Sequence, residues 1–393
     1  MADIASEIAC LSVEPETKSN LTSRNLADIM RQQKSNLIYR NLAEVMGQER
    51  IDAKLAQGKD LICYIGFAPT GQIHLGYLVP CMKIRDLTLA GCQMAIMIAD
   101  VHATLDERKT PSHLVELRSD YYRKMLSFMF NYLGADMSKI KFIRGSEFQL
   151  TGNYSMDVWE LASRVTITAA KKAGTEVVKQ DKHPKLGSAI YPLMQAVDEN
   201  YVGQATFGAQ ADIELGGTDQ RKIFCFSCEH DENPEEGRIS YLMNPIISLA
   251  KSGKRSEGSS TGRDSVPLSK MSASDPNGKI TFTDSYDTVQ LKISKAFCCD
   301  KDPDCGVMKL MQTAFFPLNE GKNVITIELD DNTEIHYKEY SQFEKDFKDG
   351  VFVAPHLKKT IIDLISEFMH PVRDFINSNE MQSLITEAYP STN

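Results

Sequence analysis

One histidine, one lysine and two short runs of polar side chains hold most of the chemistry in this sequence. Between Cys63 and Tyr77 an apolar run breaks at Pro69 and Gly71, and His74 and Gly76 follow. A strand feeding a glycine-rich turn and a helix start presents backbone N–H groups to an anion, and glycines let a nucleotide approach. No Gly-Lys-Ser/Thr follows, so this is not a Walker loop; the same pattern also serves a plain connection with a surface histidine. Tyr191, Gln195 and Asp198 are spaced i, i+4, i+7. A helix gathers them on one face of an otherwise apolar segment, where they line a polar pocket or face water. Gly216 and Gly217 lead into Thr218, Asp219 and Gln220. An aspartate at such a turn accepts from ribose hydroxyls, though Thr218 and Asp219 also suit a helix cap. Lys270, Met271, Ser272, Ala273 and Ser274 close a stretch rich in Gly, Ser, Lys and Arg. A lysine and hydroxyls on a flexible tether suit a charge that swings onto a phosphate chain.

Those groups need a scaffold, and the hydrophobic pattern describes one. Leu61 to Phe67 reads as a buried strand, Leu75 to Leu89 as a helix stopped at Gly91, and Gln93 to Ala99 as a second strand. A long helix runs from Ser112 to Leu133 with Gly134 as its stop, a short strand covers 141–143, and Met156 to Lys172 is helical. The stretch from Ala211 is a further strand that ends at the Gly216-Gly217 turn. Strand–helix alternation of this length means an α/β fold with a doubly wound, Rossmann-like parallel sheet. Right-handed crossovers put the carboxyl ends of the strands on one rim, with Tyr64, Gly66, Asp100 and the His74 turn along it. Asn25 to Met46 carries helical spacing. From Tyr286 the pattern is helical over 289–297, 307–314, 343–347 and 357–375, with a hairpin from 324–329 and 333–337. The expected division is an N-terminal extension (1–35), a catalytic domain (36–265), a loop linker (266–285) and a mainly α-helical C-terminal domain (286–393).

With 42% apolar and 25% charged residues, the 393-residue chain has the composition of a globular protein of two domains. No apolar run spans a bilayer and no leader precedes the fold, so a cytoplasmic protein without a membrane partner is expected. Nine scattered cysteines are no disulfide framework. Cys225, Cys228 and His230 lack a second pair at finger-like spacing, and no metal site is expected. A net charge of −9 argues against a general nucleic-acid coat and a DNA partner, while leaving room for RNA on a local patch.

Taken together, four stretches resemble one family. His74-Leu-Gly-Tyr77 and Lys270-Met-Ser-Ala-Ser274 look like the two signatures of class I aminoacyl-tRNA synthetases. Tyr191 to Asp198 and Gly216 to Lys222 look like the amino-acid helix and ribose turn of tyrosyl-tRNA synthetases of the eukaryotic and archaeal cytoplasmic type. Lys171 to Gln180 and Tyr241 to Pro245 are similar as well, and the likeness runs from about residue 36 to the end. Tyr77 stands for the second histidine of the first signature and Ala273 for the middle lysine of the second. Gly203 to Gln210 and Ser252 to Arg263 look like insertions, and the usual eukaryotic C-terminal appendage is absent.

The resemblance implies activation of L-tyrosine with Mg-ATP and its transfer to tRNA(Tyr) by alignment and charge stabilisation, without a protein nucleophile. It implies His74 and Lys270 as catalytic residues. Asp198 and the Tyr64 hydroxyl would hold the phenol, and Tyr191, Gln195 and Gln220 the α-ammonium. Gly66, Thr70, His74, Gly76, Tyr77, Gly217, Asp219, Lys270, Met271, Ser272 and Ser274 would meet ATP, with Mg²⁺ arriving on the nucleotide. The helical C-terminal domain would read the anticodon, with Phe315, Phe316 and His356 as candidates. Family members are homodimers, and helix Ser112–Leu133 is the apolar-rich candidate for the interface.

Overall fold

The computed structural model describes residues 23–106, 109–178, 183, 185–231, 237–249 and 279–390. Six strands, β1 (Glu44–Met46), β2 (Ile62–Phe67), β3 (Gln93–Ile98), β4 (Ile140–Arg144), β5 (Ile213–Gly217) and β6 (Ser240–Asn244), form one sheet in the order β1-β6-β5-β2-β3-β4. All neighbours run parallel except β1, which pairs antiparallel with β6. The chain walks outward from β2 through β3 to β4, then crosses back to β5 and β6 on the other side. The order therefore reverses between β2 and β5, and their carboxyl ends open a crevice there.

Helices α1 (Ser23–Tyr39), α2 (Gln48–Ala56), α3 (Leu78–Leu89), α4 (Asp100–Leu105), α5 (Val115–Leu133), α6 (Ser146–Gln149), α7 (Gly152–Arg164), α8 (Ile167–Ala173), α9 (Gly187–Phe207) and α10 (Arg221–His230) cover the sheet. Beyond it come α11 (Tyr286–Lys295), α12 (Gly306–Leu310), a π-helical turn Met311–Phe315, α13 (Phe316–Asn319), the hairpin β7 (Ile325–Glu328) and β8 (Glu334–Tyr337), α14 (Tyr340–Asp349), α15 (Ala354–Ile376) and α16 (Asn379–Ala388). Alternation along the strands sorts the two cores. Cys63, Ile65, Phe67, Met94, Ile96 and Ile98 point into one buried cluster that also takes in α3, α5 and the C-terminal helices out to Met381. Tyr64, Ala95 and Met97 point to the other face, beneath α7, α8, α9 and α10. No described helix is long and apolar enough to cross a membrane.

Several expectations need correction. The helix over 25–46 ends at Tyr39 and gives way to strand β1. The helix over 156–172 is two, broken where Thr166 caps α8 by accepting from Ala169 N at 3.1 Å. Pro192 falls inside α9, past its first turn. Most of the stretch 203–210 is helical: α9 runs on through Phe207, and Gly208 closes it in the left-handed region. Gly203 permits this, because a Cβ there would sit 2.4 Å from Ala211 N. One buried cluster runs across the boundary expected at 285/286.

Two functional expectations also fall here. Phe315 and Phe316 are 1% and 7% exposed. Phe316 packs edge-on against Phe343 at 5.0 Å. Both are core residues, closed to a stacking base. The apolar side of α5 is occupied by its own chain: Tyr121, Tyr122, Met125, Leu126, Met129 and Phe130 are buried, and Phe128 stacks on Phe375 at 4.2 Å. That side of the helix is closed, and Tyr132 is its one large hydrophobic residue left exposed. Truncating Phe315 to Ala should cost about 3–5 kcal/mol of stability in urea unfolding; a loss below about 1 kcal/mol would contradict the core assignment.

Candidate active site

The turn after β2 is shaped by its carbonyls. Thr110 Oγ1 donates to Pro69 O at 3.1 Å, Arg118 Nη1 to Thr70 O at 2.7 Å and Tyr122 Oη to Gly71 O at 2.7 Å. Three successive carbonyls are thus held toward the α5 side of the turn. Tyr77 shares the network, its hydroxyl 2.9 Å from that of Tyr122. His74 caps the short 3-10 turn Leu75–Tyr77, its Nδ1 accepting from Gly76 N at 3.2 Å. A neutral ring so placed carries its proton on Nε2. Backbone bonding from Leu75 N to Ile280 O at 2.9 Å joins the turn to the segment that follows the Lys270 stretch. Lys270, Met271, Ser272 and Ser274 lie outside the described residues.

A cavity of about 300 Å³ opens at the crevice between β2 and β5. Gly66, Thr70, His74, Gly76, Tyr77, Gly217 and Asp219 line it at one end, with Asn244 to Ile247 beside them. Tyr191, Gln195, Asp198 and Gln220 line it too, so the expected nucleotide and amino-acid residues share one hollow. The i, i+4, i+7 stripe does face inward. Tyr64 is 1% exposed and sits behind the wall, its hydroxyl donating to Glu214 Oε2 at 2.6 Å. His356 is engaged elsewhere: it accepts from Val353 N at 3.3 Å at the start of α15 and lies 3.1 Å from Asp330.

Asp198 is fully buried. Its Oδ1 accepts from Gln149 Nε2 at 2.7 Å and Tyr154 Oη at 2.8 Å. Its Oδ2 has no hydrogen-bond partner among the described residues, and neither does His102 Nε2, 3.8 Å away. Burial pushes Asp198 up to about 8 against the donation from Gln149 and Tyr154. It lowers His102 to about 4, so that ring is neutral. Two more carboxylates are buried nearby. Glu199 takes the Tyr241 hydroxyl at 3.0 Å and is pushed well above the usual range by burial. Glu214 is raised to about 7 by the same cause. No described lysine or arginine pairs with any of the three. His102, Gln149, Tyr154 and Glu214 escaped sequence reasoning. A carboxylate within a parallel strand otherwise buried on both faces was the one available signal.

The family model for tRNA synthetases class I (W and Y) matches residues 56–370. The chain is 37% identical over 380 residues to the cytoplasmic tyrosine–tRNA ligase of Xenopus laevis, covering 96% of this chain and 64% of that one. To the Saccharomyces cerevisiae cytoplasmic tyrosine–tRNA ligase it is 35% identical over 389 residues, 96% and 89% of the two chains. The tyrosyl-tRNA synthetase of Archaeoglobus fulgidus, solved with L-tyrosine, superposes with a TM-score of 0.72 at 28% identity over 88% of this chain and 98% of that one. The chain spans just under two thirds of the length of its vertebrate relatives. A chain with this sheet, this crevice and these matches belongs to the class I tRNA synthetases of the tryptophan and tyrosine group. Within that group its place is among the tyrosine–tRNA ligases.

The three buried carboxylates have a pH signature. A carboxyl raised on folding stabilises the protein fully below its unfolded value near 4 and loses that contribution as pH climbs through the folded value. For Asp198 the window is about 4 to 8. In urea unfolding without ligand, Asp198→Asn should therefore gain on the wild type as pH rises from 5 to 8, by up to ~1.4 kcal/mol per pH unit. Parallel pH profiles would contradict it.

Proposed function

We propose that this chain is a tyrosine–tRNA ligase that activates L-tyrosine with Mg-ATP and passes it to the 3′ end of tRNA(Tyr) in the cytoplasm. The observation that carries the reading is the unpartnered Asp198 Oδ2, buried at a cavity that His74, Gly217 and Asp219 line as well. A buried polar atom without a partner is costly, and a phenol hydroxyl, able to donate and to accept, supplies one to either form of the carboxyl. Tyr64 Oη donates to Glu214 and holds that carboxyl from behind the cavity wall.

In the first step a tyrosine carboxylate oxygen attacks the α-phosphorus of ATP. A P–O bond forms, the bond to the β-phosphate oxygen breaks, and pyrophosphate leaves. His74 Nε2–H donates to phosphate oxygens as charge builds on them, and Lys270 adds a cation from its own segment. Mg²⁺ comes with the nucleotide and keeps most of its waters. Asp219 accepts from the ribose, and Gly66 and Gly217 allow the backbone close to it. In the second step a hydroxyl of the terminal adenosine of tRNA attacks the tyrosyl carbonyl and AMP leaves.

Phenylalanine leaves Asp198 Oδ2 unpaired in the dry end of the cavity, which costs it about 1–3 kcal/mol. For the homodimer, α5 is replaced as candidate surface by α7, α8 and the approach to α9. Leu150, Met156, Trp159, Ile167 and Leu186 are 57–74% exposed there, an unusual grouping for a surface in water.

The test is amino-acid-dependent exchange of pyrophosphate into ATP. Wild type should respond to tyrosine and not to tryptophan or phenylalanine. Asp198→Ala should lose tyrosine activation by roughly 100-fold, with its preference over phenylalanine reduced and ATP affinity kept. Unchanged tyrosine activation in that variant would refute the role of Asp198. Lys270→Ala should slow adenylate formation in a single turnover by on the order of 100-fold while tyrosine still binds; a wild-type rate would remove Lys270 from the mechanism.

A further inference from the structure

Glu214 has no part in the mechanism above, yet it lies at the centre of the amino-acid end of the cavity. It is 3% exposed, within β5, and lines the hollow. Its Oε2 accepts from the Tyr64 hydroxyl at 2.6 Å and its Oε1 from Gln195 Nε2 at 3.1 Å. Gln195 Nε2 also donates to Gln220 Oε1 at 3.1 Å. Both N–H protons of that amide are used, so Oε1 is the atom it has left to offer a cation. Without the carboxylate, only Gln220 would hold the amide in that orientation.

The groups facing Glu214 are Tyr64 from β2, Gln195 with Tyr191, Asp198 and Glu199 from α9, Gln220 from the turn after β5, and Tyr241 from β6. Every one is neutral or acidic. An ionised carboxylate buried among phenols and amides lacks a countercharge. The α-ammonium of an amino acid bound against Gln195 supplies one.

We propose that Glu214 is the positioning residue of the amino-acid site, turning the Gln195 carbonyl toward the substrate ammonium and providing that cation with its countercharge. The inference rests on the amino-acid reading of the cavity given above. It assigns the ammonium end of the site to a charge, whereas Asp198 serves the phenol end.

Three ligands separate the ends: L-tyrosine, tyramine, which keeps the ammonium, and 3-(4-hydroxyphenyl)propionate, which lacks it. Binding is read by ligand-observed NMR on wild type and Glu214→Gln. The variant should bind tyrosine and tyramine about tenfold more weakly and the propionate within about twofold of wild type. Equal loss for all three would make Glu214 a mere buttress of Tyr64, and no loss for any would leave it without a role; either overturns the proposal. A wild type that binds none of the three would instead bring down the amino-acid reading itself. A second measurement compares pH profiles. In wild type, the ratio of tyramine to propionate affinity should fall as pH drops through about 7, where Glu214 takes up its proton. Asp198, raised to about 8, titrates in the same hollow, so Glu214→Gln is the reference: its ratio keeps the Asp198 contribution and loses that of Glu214. Ratios with the same pH dependence in both proteins would also overturn the proposal.

Discussion

Three carboxylates, Asp198, Glu199 and Glu214, are buried between α9 and the sheet, and none has a lysine or arginine of the described residues for company. Each is held instead by phenols or amides: Tyr154 and Gln149 on Asp198, Tyr241 on Glu199, Tyr64 and Gln195 on Glu214. Neutral donors satisfy lone pairs without cancelling charge. With no cation to cancel the charge, burial raises all three carboxyl groups, so that in the unliganded protein protons take the place of the missing countercharges. The fold gives up some stability, as pH rises, to keep these three groups between α9 and the sheet.

The other half of the cavity follows from topology. Because the strand order reverses between β2 and β5, two glycine-bearing turns meet across one crevice. The first is held by α5, whose arginine and tyrosine side chains take the carbonyls of Thr70 and Gly71. The second follows Gly217 into the Thr218–Gln220 turn, where Asp219 is buried. One helix, α9, packs over β2, β3 and β4 and lends Tyr191, Gln195 and Asp198 to the hollow.

What was legible in the sequence was local. Tyr191, Gln195 and Asp198 were readable because 3.6 residues per turn fixes their common face whatever lies opposite. The His74 turn was readable because proline and glycine break a strand within a few residues. What stayed hidden depends on partners far along the chain. Tyr64 and Glu214 are 150 positions apart and meet only through β2–β5 pairing. The three-residue strand β1 is too short to show a period. Phe315 and Phe316 look alike whether they stack on a base or on Phe343, and burial alone decides between those. The continuous cluster that joins the helical part to the sheet is likewise invisible until helices beyond Tyr286 are placed.

One contact closes the longest loop of all. Tyr389, just past α16, donates its hydroxyl to Gly71 O at 3.1 Å, across 318 positions, and Arg118 lies over its ring at 4.7 Å. During synthesis the sheet residues emerge first and can begin to fold, but this outer brace on the turn after β2 cannot form until Tyr389 has left the ribosome. Until α16 is made and docked, a nascent chain holds the Gly71 carbonyl through Tyr122 alone.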